Sequence, residues 1–175
     1  MDKNIFKVKG TYVNGQWFNS KNTYEVFNPS NGEKLSDVPI SDKKELELAV
    51  ESAKKAQAIW SKTSLIERVK CLEELSKKIL VREEEFALID SYDSGNALTG
   101  MRKDVKETVN NIRYFCGLVR EVKGETFSME KNHLNFTRYQ PYGVVLKINP
   151  FNHPFRFCVE KIAAPLLMGN SLIIK

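Results

Sequence analysis

The stretch KINPFNHPF, Lys147 to Phe155, concentrates the residues able to do chemistry. Asn152 carries a side-chain amide between Pro150 and Pro154, whose rings restrict the backbone on either side. An apolar run, GVVL, precedes the stretch and a segment of helical spacing follows it, so the amide stands where a strand hands over to a helix. A fixed amide donor at such a point can stabilise an oxyanion that develops when a carbonyl is attacked. The same asparagine can also serve only as an Asx turn or a helix cap. His153 is a candidate base, but no acid and no second histidine lies near it in sequence, which favours an ordinary loop histidine. His133, just before a strand pattern, has no better claim. Lys161, in the following helical segment, can direct a charge toward the site or sit on the surface. Lys175 ends the next apolar run, where a cation can meet a nucleotide ribose or phosphate or simply face water.

Cys71, Cys116 and Cys158 are widely spaced and odd in number, which argues against a disulfide framework and against a zinc site. Cys116 falls on an apolar helical stripe and Cys158 inside a helical segment, so both read as structural thiols. No metal site is expected, and none of the three is expected to be a nucleophile.

The elements that must position Asn152 follow from periodicity. Asn14 and Gly15 supply the two positive φ angles of a tight hairpin within TYVNGQWF. YEVFNPSNGEKLSDVPIS gives two further short strands around a Pro-Ser-Asn-Gly turn. From Ser41, read as a helix cap, the period changes to 3.6, with Leu46, Ala49, Ala53, Ala56 and Trp60 on one stripe. A second helix starts at the capping box Ser64/Glu67 with Leu65, Val69, Leu72 and Ile79 as its stripe, and breaks near Arg82. A third stops at Gly95, suited to the left-handed position after a helix. A fourth carries Val105, Val109, Ile112, Cys116 and Val119 and ends before Gly124.

HLNFTRYQP then alternates and reads as a two-faced edge strand. GVVLKI reads as a strand buried on both faces, PFRFCVEKIAAPLLMGN as one helix, and SLIIK as a second apolar strand. The three predict a β-α-β unit with parallel strands, the opening of a doubly wound sheet. Two parallel strands cannot bury both faces without further elements, so the sequence is expected to be the N-terminal part of a longer protein. No G-x-G-x-x-G or P-loop accompanies the unit.

With 175 residues, 42% of them hydrophobic, the chain can form one domain with a real core but not two large ones. Its net charge of +5 arises from 27 basic and 22 acidic residues interspersed along helical faces, the pattern of a solvated surface and not of a polyanion site. Finger spacing, arginine-rich arms and repeated aromatic-glycine patterns are all missing, so no nucleic-acid partner is expected. No run matches a signal peptide or a membrane span, which predicts a soluble, cytoplasmic protein and gives the sequon at Asn135 no weight.

The segment QPYGVVLKINPFNHPFRFCVEKIAAPLLMGNSLIIK resembles the aldehyde dehydrogenase superfamily, in which P-x-G-V-V leads to P-W-N-x-P, then K-I-A, G-N and a strand ending in lysine. The similarity continues upstream through VNGQWFNS, VFNPSNGEKLSDVP, AVESAKKAQAIW, ERVKCLEELSKKI and DSGNAL. It implies an α/β fold: the N-terminal part of the aldehyde dehydrogenase fold, with helices packed on the start of a Rossmann-like parallel sheet and an added oligomerisation strand segment. Residues 1–124 would form the hairpin and helices of the cofactor-binding domain, 125–141 the oligomerisation strands, and 142–175 the first β-α-β.

The implied activity is oxidation of an aldehyde to its acid through a cysteine thiohemiacetal, with NAD or NADP as cofactor and an aldehyde as substrate, in a homodimer or homotetramer. The resemblance places the oxyanion donor on Asn152 and a lysine near the active site at Lys161. It places the nicotinamide-lining backbone on Ile148, Asn149, Pro150 and Phe151, with Asn152 adjoining, and the ribose contact on Lys175. It also implies that the nucleophilic cysteine and the general base lie beyond position 175. Phe151 replaces the common tryptophan, and Pro165 stands one place later than the proline that often follows K-I-A. The rival readings are a non-catalytic nucleotide- or partner-binding domain and a basic helical binding module.

Overall fold

The computed structural model describes residues 3–20 and 22–175; Met1 and Asp2, with which the 1–124 region opens, and Lys21 lie outside the described residues. After a 3-10 turn at Lys3–Phe6, β1 (Thr11–Val13) and β2 (Gln16–Phe18) pair antiparallel. Asn14 and Gly15 take φ of 51° and 79°, the left-handed pair that a two-residue hairpin needs. β3 (Thr23–Phe27) and β4 (Lys34–Pro39) form the second antiparallel pair.

Four helices follow: α1 (Lys43–Trp60), α2 (Leu65–Val81), α3 (Glu83–Ser94) and α4 (Leu98–Leu118). The cap of α1 is Asp42 and not Ser41: the Asp42 carboxylate accepts the Glu45 N–H at 2.8 Å while Glu45 reaches back to the Asp42 N–H. Ser41 instead shares a hydrogen bond with Thr11. The Ser64/Glu67 capping box of α2 forms as expected. The α1 stripe is covered only in part, since Ala53 is buried while Leu46 and Ala56 stay exposed.

The core lies where α2, α3 and α4 meet α5 (Pro154–Glu160) and α6 (Ala163–Leu167). Val69, Leu72, Ile79, Ala87, Met101, Val105, Val109, Ile112, Cys116 and Leu167 fill it, so α4 turns the stripe read from its sequence inward. PFRFCVEKIAAPLLMGN therefore makes two short helices and not one. Pro165 is the physical reason: it lacks an N–H and its ring clashes with the carbonyl four residues earlier, so a continuous helix breaks at Lys161–Ile162. In the first turn of α6 the missing donor costs nothing. α1 and α2 together fix the other end of α6, because Arg68 Nε of α2 donates to the Leu167 carbonyl at 2.9 Å and Trp60 Nε1 of α1 to the Leu166 carbonyl at 2.8 Å.

β7 (Val144–Lys147) and β8 (Ser171–Ile174) pair in parallel, Val144 opposite Ser171 and Lys147 opposite Ile174. Expected burial on both faces is not observed: Leu146, Ile148 and Ile174 are exposed. α1 packs against the pair, with Ser171 Oγ donating to the Ala53 carbonyl at 2.8 Å, and α6 touches β8. The alternating run His133–Pro141 yields only the two-residue strand β6 (Asn135–Phe136), paired with β5 (Thr126–Phe127). Alternation gave the pattern of a strand, yet a strand extends only where a partner offers N–H and C=O groups.

Candidate active site

The loop after β7 grows from the carboxyl ends of both parallel strands. The Lys175 N–H donates to the Lys147 carbonyl and the Asn149 N–H to the Lys175 carbonyl, each at 2.8 Å, so Asn149 and Lys175 extend the ladder past the strands. The structure thus brings Ile148, Asn149, Pro150, Phe151, Asn152 and Lys175 to one strand end. Ile148, Pro150, Phe151 and Asn152 are exposed, Phe151 to 90%. Among the described residues no hydrogen bond engages the Asn152 side-chain amide and no carboxylate pairs with Lys175. Beneath the loop, Lys147 Nζ donates to Asn149 Oδ1. Burial lowers the Lys147 pKa and raises that of Cys158, which sits close by in α5.

α5 begins without a side-chain cap of its own. Its orphan N–H at Phe155 is met from α3 instead, by the Asp90 carboxylate at 3.1 and 3.2 Å. Burial lifts the Asp90 pKa to about 6; Asp93 and Asp104 push the same way, while the Phe155 N–H and His153 oppose them. Nδ1 of His153 meets Oδ2 of Asp104 at 2.5 Å. The other Asp104 oxygen takes Arg156 at 3.1 Å, and Arg156 also binds Glu107 at 2.7 Å and Glu160 at 2.9 Å. Burial alone would raise Glu160, but hydrogen bonds from Arg156 and Lys161 outweigh it and hold the carboxyl below the usual range.

His153 thus has the acid partner that sequence proximity denied it. Asp104 lies 49 residues upstream on α4, and only packing brings the two together. Asp90 and Asp104 were missed because charged residues on helices read as solvated faces, whereas each is only 6% exposed here. The available signal was their position beside stripe residues, Asp104 preceding Val105. Lys161 caps the far end of α5, about 10 Å along the helix from its first residue Pro154, and its ammonium pairs with Glu160 at 3.0 Å.

The three thiols all sit on helices, Cys71 on α2, Cys116 on α4 and Cys158 on α5. Cys116 is buried with its pKa raised by desolvation, Cys158 is half-buried with the same shift, and Cys71 is exposed. Among the described residues no cluster of three or more His, Cys, Asp or Glu could hold a metal, and no helix is long and apolar enough to cross a membrane.

Parallel strands, a helical crossover and a polar loop at the carboxyl ends define a β-α-β unit of the kind that binds ligands outside those ends. The chain belongs to the aldehyde dehydrogenase family, whose model matches residues 17–175. It is 35% identical to the 4-trimethylaminobutyraldehyde dehydrogenase of Rattus norvegicus over 87% of this chain and 31% of that protein. The betaine aldehyde dehydrogenase of Staphylococcus aureus, a double mutant in complex with NAD+, superposes with a TM-score of 0.90 at 30% identity, covering 95% of this chain and 34% of that one. The NADP-dependent glyceraldehyde-3-phosphate dehydrogenase of Bacillus halodurans C-125, complexed with NADP, gives 0.87 at 27% identity over 93% and 36%. The chain spans about a third of the length of these relatives.

Proposed function

We propose that this chain supplies the oxyanion donor and part of the dinucleotide surface of an NAD- or NADP-dependent aldehyde dehydrogenase. The observation that carries the reading is the Asn152 amide, which is exposed and uncommitted on a loop whose flanking backbone is held on both sides. A donor held in place before the reaction loses no reorganisation energy when the carbonyl oxygen becomes an anion. A capping asparagine would instead spend its side chain on nearby backbone.

The surface fits a dinucleotide in type. Ile148, Pro150 and Phe151 offer apolar contact, and the Lys175 ammonium stands at the strand end. Asn149 keeps the loop on the sheet through its backbone bond to Lys175, and Lys161, at the end of α5, stands paired with Glu160. A bound nicotinamide dinucleotide would supply the hydride acceptor. The nucleophilic thiolate and the base are not assigned among these residues: burial raises the Cys116 and Cys158 thiols, and Cys71 sits on α2 and not on the strand-end loop.

The test is kinetic, on the protein expressed from its complete gene. Asn152→Ala lowers kcat by about 100- to 1000-fold, roughly 3–4 kcal/mol of transition-state stabilisation, with dinucleotide affinity and Tm near those of the wild type. Asn152→Asp is at least as poor, since a carboxylate repels the oxyanion. Retained kcat with lowered Tm in Asn152→Ala would make the residue a turn former.

Residues 125–141 are assigned to self-association. Phe127, Met129, Leu134, Phe136 and Tyr139 stand exposed around the short β5–β6 pair, an apolar surface that a second copy could cover. Replacing Leu134 and Phe136 together by glutamate should shift light scattering toward smaller species; an unchanged assembly in a folded variant would refute the assignment.

A further inference from the structure

The motif DSGNAL ends α3 at Gly95, and its asparagine reaches the candidate site. Asn96 Nδ2 donates to the backbone carbonyl of Asn152 at 2.6 Å, across 56 residues of sequence. Asn96 is itself firmly placed. Gly95 holds φ of +76°, a conformation that side chains rarely adopt, and a Cβ there would meet Pro29 Cγ at 2.8 Å. Ser91 Oγ donates to the Asn96 carbonyl at 2.7 Å, and the Asn96 N–H donates to Ser94 Oγ at 3.3 Å. The end of α3 thus presents the Asn96 amide from a turn whose backbone is bonded on both sides.

Two further contacts grip the residues after Asn152. The Asp104 carboxylate binds His153 and Arg156, and the Asp90 carboxylate accepts the Phe155 N–H. Residues 152, 153, 155 and 156 are therefore each tied to α3, α4 or the turn between them, although Asn152 itself is exposed.

We propose that Asn96 is a positioning residue: by holding the Asn152 carbonyl, with Asp104 and Asp90 steadying the next turn, it fixes the direction in which the Asn152 side-chain amide points. This rests on the reading of Asn152 as oxyanion donor. Asn96 touches no reacting atom and acts only through the Asn152 backbone. Small misplacements of a catalytic donor cost rate more than they cost binding.

The experiment is a double-mutant cycle in the protein expressed from its complete gene, read by steady-state kinetics and by amide exchange of residues 149–157. Asn96→Ala lowers kcat by about 10- to 100-fold and leaves the aldehyde KM within about twofold. Asn96→Asp, equal in size but unable to donate, loses as much. Asn96→Ala/Asn152→Ala is no slower than Asn152→Ala alone, because the support has nothing left to aim. Amide exchange within 149–157 quickens in Asn96→Ala while that of α4 does not.

Three results would overturn the proposal: a kcat within twofold of wild type in Asn96→Ala, full activity in Asn96→Asp, or losses that simply multiply in the double variant. If Asn152→Ala is slow while Asn96→Ala is normal, only the positioning role fails. If Asn152→Ala keeps its kcat, the donor reading fails and the positioning role with it.

Discussion

α4 and the β7–β8 pair are both rich in apolar residues, yet they fare differently. α4 buries Met101, Val105, Val109, Ile112 and Cys116 among its seven buried residues, whereas the strand pair buries Ser171 alone. The difference lies in partners and not in composition. α4 is surrounded by α2, α3, α5 and α6, while the strands have mainly α1 against them, with α6 touching β8. Asn152 emerges from the less buried region, but the hydrogen bonds that place it come from the α3–α4 side. Chemistry is presented by the open element and held by the closed one.

Core truncation should separate the two regions most. Ile112→Ala should cost about 2–5 kcal/mol in urea unfolding, since Ile112 is fully buried and its neighbours can collapse only partly. Leu146→Ala, at a half-exposed strand position, should cost less than about 1 kcal/mol. Equal losses would mean that the strand pair carries as much of the core as α4 does.

A smaller difference should follow from pH. The Asp90 carboxyl is raised in the folded state to about 6 by burial, so the native chain holds this proton more tightly than the unfolded one. Its contribution is complete below the ordinary aspartate pKa and is lost as pH rises through about 6. The loss is on the order of 3 kcal/mol. Asp90→Asn should remove that fall from the stability–pH profile between about pH 4 and 6. Parallel profiles for the two proteins would show that Asp90 ionises without strain and that its burial is unimportant to the α5 cap.

Local signals were legible where one short segment determines the outcome. The Asn14–Gly15 turn, the Ser64/Glu67 box, the Gly95 stop and the α4 stripe all appear as read. So does the gathering of Ile148 to Asn152 with Lys175, because parallel pairing forces two strand ends together. Tertiary context decided the remainder. Asp42 took the cap because its carboxylate reaches the Glu45 N–H while Ser41 turns to Thr11. Pro165 divided a helix that apolar spacing made continuous. Asp104, Asp90 and Asn96 could not be tied to the loop from sequence, since each contact spans 49 or more residues and nothing in local pattern encodes it.

The central claim, that an exposed asparagine loop is held by a buried helical frame, is tested most directly by hydrogen exchange at single amides. The Phe155 N–H, bound to Asp90, and the Asn149 N–H, bound to Lys175, should exchange slower than in an unstructured chain by on the order of 100-fold or more. The Phe151 and Asn152 N–H groups between them should exchange far faster. Uniform exchange at unstructured rates from Asn149 through Phe155, with α4 amides still protected, would contradict the account.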